Sequence, residues 1–200
     1  MELEEFFEDI KHRIVKEIKN NLPKLIKEWG DEKPYAVAFV TDSDCVTLWL
    51  GVNTYEFLEK SDAEYAEEGD YDYTTKWNPD EWGYSDEDIP NAELDEIFQE
   101  ISDKKASIIA YIKSSNEGLP NKQLWDLIEV SGFTTLFIEM LVSILQELIE
   151  ANAFNFNNKE ITYFVIMNDD ARAIEIENNS AKILNTEKLY NEFIQRETHY

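Results

Sequence analysis

Tyr35-Ala36-Val37-Ala38-Phe39-Val40 is the stretch that decides the fold. All six residues are apolar. Successive side chains of a strand point to opposite faces, so a run without alternation reads as a central strand covered on both sides. Thr41-Asp42-Ser43-Asp44 follows, and a second short apolar run spans Val46 to Leu50. Two such runs around Asp and Ser predict a β-hairpin through Asp42-Ser43-Asp44.

Outward from the hairpin, helical and extended patterns alternate. Asn53 with Glu56 three residues on has the spacing of a capping box and predicts a helix over 54–67, ended by Gly69. Its inward positions would be Tyr55, Leu58 and Tyr65. Tyr71, Tyr73 and Thr75 alternate with Asp72, Thr74 and Lys76, which is strand spacing. Asn78-Pro79-Asp80 then supplies a turn. A helix starts at Pro90 or Asn91 on the stripe Leu94, Ile97, Phe98 and Ile101, with Asp103-Lys104-Lys105 as a point of interruption. Leu124 to Ile149 is the strongest helical pattern, broken or kinked at Gly132. Ile161 to Met167 reads as a buried strand. Asn168-Asp169-Asp170 caps a short helix over 171–176, and Asn185-Thr186-Glu187 caps a last one with Leu189, Tyr190, Phe193 and Ile194 inward. At the N-terminus Leu3, Phe6, Phe7, Ile10, Ile14 and Ile18 predict an amphipathic helix over 2–21, which Pro23 interrupts.

These elements predict an α+β fold. A small antiparallel or mixed sheet would combine the hairpin at 35–50, a strand near 71–76 and the strand at 161–167, with several helices as cover. The 200 residues, 43% hydrophobic, fit a single domain 1–200, with a weak subdomain break near 116–120.

The formal net charge is -25 and the pI about 4.3. Such a field repels nucleic acid and anionic lipid, so neither a nucleic acid nor a membrane is expected as partner. It attracts a basic protein or another cation. No apolar run reaches membrane-spanning length on this reading. Met1-Glu2-Leu3-Glu4-Glu5 is acidic where a signal peptide would be basic, and the lone Cys45 cannot form an intrachain disulfide. A reducing cytoplasm is the expected location. Cys45 is expected to be a buried, inert thiol.

The unusual stretch runs from Asp62 to Asp88, where acids and aromatic rings alternate and Lys76 is the only base. Disordered acidic tracts are poor in rings, so these are expected to pack. One reading is a recognition surface, with aromatic anchors ringed by carboxylates that attract a cationic partner. Its residues would be Tyr71, Asp72, Tyr73, Trp77, Asp80, Glu81, Trp82, Asp86 and Glu87. The other reading is a strand and loop that cover one edge of the sheet.

No phosphate loop, nucleophile elbow, CxxC or HExxH is present. The acids of 42–44 and 70–72 lack the sixth-position Gly and closing Glu of a calcium loop. No cofactor, metal ligand or catalytic residue is assigned.

Lys76-Trp77-Asn78-Pro79-Asp80-Glu81-Trp82-Gly83-Tyr84, with its Trp-x-Pro-x-Glu-Trp core, resembles a bacterial family known as a domain of unknown function. Tyr35 to Phe39, Gly51-Val52-Asn53-Thr54-Tyr55, Phe164-Val165-Ile166-Met167 with Asn168-Asp169-Asp170, and Ser180 to Asn185 extend the resemblance over most of the chain. The family brings no activity with it. Its members are similar in style to immunity proteins that neutralise bacterial toxins, which implies a binding role. The expected function is therefore an acidic cytoplasmic module that holds a basic protein. The alternatives are a carboxylate-based hydrolase or metal-dependent enzyme, and a structural or regulatory module whose charge serves solubility alone. The oligomeric state is left open.

Overall fold

The computed structural model describes residues 3–69, 74–87, 89–156 and 160–196. The hairpin forms as expected. Strand β1 spans Pro34–Asp42 and pairs antiparallel with β2, Trp49–Thr54, in the register Val37 to Val52 and Val40 to Trp49. Strand β3 is only Tyr84–Ser85 and pairs antiparallel with β2. Strand β4, Thr162–Asn168, lies parallel to β1. The sheet is mixed, in the order β3-β2-β1-β4, and the single α+β domain is the predicted class.

The strand expected over 71–76 does not form in its described part. Thr74, Thr75 and Lys76 form no strand, and residues 71–73 lie outside the described residues. The edge beyond β2 is Tyr84–Ser85 instead. Thr74 and Thr75 are held by the Asp62 carboxylate, which accepts from the Thr75 amide and the Thr74 hydroxyl at 3.3 Å each. That side chain takes the place of a ladder partner.

The helices that begin at Leu3, Ala92 and Ala173 are longer than their sequence signals. Helix α1, Leu3–Trp29, runs straight through Pro23. Its stripe of Phe7, Ile10, Ile14, Ile18, Leu22 and Leu25 stays buried on both sides of the proline, so packing outweighs the missing N–H. Helix α2 is Tyr55–Glu68, with Gly69 as a left-handed C-cap. Its N-cap is Thr54, whose Oγ1 accepts from the Phe57 amide at 3.1 Å. Asn53 is buried one residue earlier and serves the sheet. Tyr55 is exposed and the buried residue of α2 is Ser61, a correction to the expected inward set. Helix α3, Ala92–Ser115, continues without a break at 103–105, capped by the Asn91 side chain. The expected break near 116–120 is the turn between α3 and α4, Asn121–Val130.

Residues 121–150 are together apolar enough, by length and composition, to cross a membrane. This departs from the expectation that no such run exists. The chain divides there into α4 and α5, Phe133–Glu150, because Gly132 adopts φ 76°. Helix α5 buries Phe137, Leu141, Ile144, Leu145 and Leu148 in the core. Helices α6, Ala173–Leu184, and α7, Glu187–Phe193, complete the order. Helix α6 is twice the expected length, and Ile194 beyond α7 is exposed.

The core has two parts. The larger packs Val37, Phe39, Val52 and Val165 against α1, α3 and α5. The smaller, on the opposite face, contains Ala38, Val40, Phe164, Ile166, Ala181 and Phe193. Cover on both faces is what the unalternating run at 35–40 requires. The open edge of β4 is closed by side chains of α6. Asn185 accepts from the Tyr163 amide at 2.8 Å and donates to the Tyr163 carbonyl at 2.6 Å, and Ser180 Oγ accepts from the Val165 amide at 2.9 Å. A strand edge left bare would pair with another chain.

Candidate functional site

The acidic aromatic segment is pinned to the smaller core. The ladder shifts between Pro34 and Ala36, and Tyr35 meets Trp77 at 5.9 Å between ring centroids. The Tyr35 hydroxyl donates to the Lys76 carbonyl at 2.8 Å and accepts from Asn53 Nδ2 at 3.0 Å. Burial pushes that hydroxyl's pKa far up. Tyr35 is therefore a neutral donor that fixes where residue 76 sits.

Pro79–Glu81 form a short 3-10 turn, closed by the Trp82 amide bonding to the Pro79 carbonyl at 3.1 Å. Trp82 Nε1 reaches back to the Thr75 carbonyl at 3.2 Å. The Trp77 ring stands edge-on to Phe193 at 5.1 Å, and the Trp82 ring edge-on to Phe164 at 5.8 Å. Both indoles are half-buried against the sheet face. The described indoles of the segment thus cover the sheet, while Asp80 and Glu87 stay exposed.

The proposed contact residues separate accordingly. Tyr71, Asp72 and Tyr73 lie outside the described residues. Asp80 and Glu87 are exposed, with Asn168 Nδ2 3.4 Å from Asp80 Oδ1. Glu81 is half-buried and accepts from the Tyr65 hydroxyl at 3.0 Å, which ties the turn to α2. Asp86 Oδ1 accepts from the Leu50 amide at 2.7 Å, while the Asp86 amide donates to the Leu50 carbonyl at 3.1 Å. Burial pushes the Asp86 carboxyl up to about 6, against the opposing pull of the Leu50 amide.

Beside this segment stand the exposed carboxylates of α2: Glu56, Glu59, Glu64, Glu67 and Glu68. From Glu56 to Glu87 the sequence has twelve acids against Lys60 and Lys76. Glu56 also accepts from the Lys33 amide at 2.8 Å, which holds its carboxyl below the ordinary range.

Sequence reasoning missed Glu32. Its Oε2 accepts from the hydroxyls of Thr54 at 2.5 Å and Tyr84 at 2.8 Å. It thereby fastens the end of β2 and the start of β3 to the loop after α1. Nothing local marks Glu32, because its partners are far off in sequence. Cys45 is fully buried and burial raises its thiol to about 11, as expected of an inert thiol. Among the described residues, no three His, Cys, Asp or Glu side chains converge as a metal site.

A family model described as Domain of unknown function (DUF4303) matches residues 14–186, and the chain belongs to that family. No curated protein and no solved structure matches it.

Proposed function

We propose that this chain is an acidic protein-binding module that holds a basic protein, in the manner of an immunity protein neutralising a toxin. The observation that carries the reading is the rigidly mounted acidic face. Asp80 and Glu87 are exposed on a segment whose indoles are pinned to Phe193 and Phe164, and five exposed Glu residues of α2 extend it. A backbone held by such a frame loses little further freedom on binding, and the summed field of its carboxylates steers a cationic partner. In this reading Trp77 and Trp82 act as the base beneath the carboxylates rather than as inserted anchors.

The test is capture of partners from the source organism's lysate on tagged full-length protein, with washes of rising salt. The expected result is one basic protein held at near-stoichiometric level and released by the double reversal Asp80→Lys with Glu87→Lys. A diffuse set of basic proteins that wash off together would overturn the reading. The second reading, a carboxylate-based enzyme, is favoured by one observation: the high titration of Asp86 beside a cleft. Turnover in a substrate screen that Asp86→Asn abolishes would establish it.

A further inference from the structure

The cleft beside Asp86 has a volume of about 440 Å3, between the start of β2, residues Asp86, Glu87, Ile89 and Asn91, and the first turns of α3. Trp49, Leu94 and Phe98 supply apolar wall. Among the described residues its charged groups are Asp86, Glu87 and Asp95, and no Lys, Arg or His is among those that line it. The other cavities described, between α5 and α6, against α1, and beneath α4, each set at least one Lys or Arg beside their carboxylates. Glu87 and Asp95 take part in no ion pair among the described residues. Burial penalises the Asp86 charge, and the neighbouring Glu87 charge opposes it further. The raised Asp86 carboxyl comes chiefly from that burial, and no cation among the described lining residues offsets it.

We propose that this cleft receives an arginine side chain of the basic partner. For its occupant, this rests on the binding reading above. The chemistry selects Arg over Lys. A planar guanidinium donates through a fork that two carboxylates can share, and it stacks on an indole such as Trp49. Its aliphatic stem suits Leu94 and Phe98. A volume of this size falls within the ordinary range of small-ligand sites.

The test is an NMR titration of the full chain with Nα-acetylarginine amide, and in parallel with Nα-acetylcitrulline amide, its neutral counterpart. The arginine probe should shift the Trp49 indole and the amides around Asp86 and Leu94 saturably, and the citrulline probe should not. Asp86→Asn and Asp95→Asn should each weaken binding about fivefold or more, while Asp126→Asn, an exposed carboxylate on α4, leaves it unchanged. Asp95 is exposed on α3, so its variant decides the matter even if Asp86→Asn fails to fold. Equal responses to the two probes, or shifts spread over all exposed carboxylates, would overturn the inference. A captured basic partner with a silent cleft would overturn it and leave the binding reading standing. A cleft that takes the probe while no basic protein is retained would overturn the reading, and with it the protein source of the guanidinium.

Discussion

Asp86 does two things that oppose each other. Its Oδ1 accepts the Leu50 amide at 2.7 Å, which extends the β2–β3 pairing, and its charge is held partly out of water. The folded carboxyl titrates near 6, above its ordinary 3.8. The native state therefore holds this proton more tightly than the unfolded chain does. The resulting stability is fully present below about pH 3.8 and is lost as pH rises through about 6. With solvent reaching the cleft, the effect is on the order of 2 kcal/mol. Asp86→Asn keeps an acceptor for Leu50 and removes the charge. Urea unfolding should show the variant more stable than the parent at pH 8 by roughly 1–2 kcal/mol, with the gap closing at pH 4. At the opposite edge, Asn185 makes both bonds to the Tyr163 backbone. Asn185→Ala should lower stability by about 1–3 kcal/mol in the same measurement, because a strand N–H and C=O lose their partners. Neither role was legible at this scale. A sequence shows that Asp86 is acidic and Asn185 polar, but the partners that define them arrive through tertiary contacts, as they do for Glu32.

At the scale of elements, the sequence was informative where burial is two-sided and misleading where a side chain replaces a ladder. The run at 35–40 declared a central strand because no face of it could be left wet. Gly132 declared the end of α4 by its φ of 76°. Pro23 was read as an interruption, yet α1 continues unbroken, since its buried stripe resumes at Leu25 and Trp29. Pro23 is itself exposed, so Pro23→Ala should restore a helical bond and raise the melting temperature by several degrees. The alternation predicted over 71–76 does not carry through Thr74–Lys76, where the Asp62 carboxylate takes the Thr75 amide and the Thr74 hydroxyl. Cover of the sheet face makes Trp82 structural: Trp82→Ala should cost about 3 kcal/mol or more, read by chemical denaturation. Gly83 belongs to this cover, because a Cβ there would overlap the Phe57 ring. Gly83→Ala should destabilise by about 1–3 kcal/mol.

At the scale of the whole molecule, the net charge of -25 is concentrated rather than evenly spread. Between Glu56 and Glu87 the acids outnumber the bases six to one, and the structure mounts much of that run on α2 and on the locked turn at 79–82. Fold class and acidic character were legible from composition and periodicity. The packing of Trp77 and Trp82 on the sheet, the exposure of Asp80 and Glu87, and the cleft beside Asp86 were not, because they depend on which face meets Phe164 and Phe193. Electrostatic steering acts on encounter before any contact forms, and salt screens it over about 10 Å at 0.1 M. The central claim is therefore tested most directly by the association rate constant with the captured basic protein, measured against ionic strength for the parent and for Asp80→Lys with Glu87→Lys. The account predicts a parent rate that falls steeply with salt, and a variant slower by about tenfold at low salt with a flattened dependence. Identical rates and identical slopes for the two proteins would contradict it.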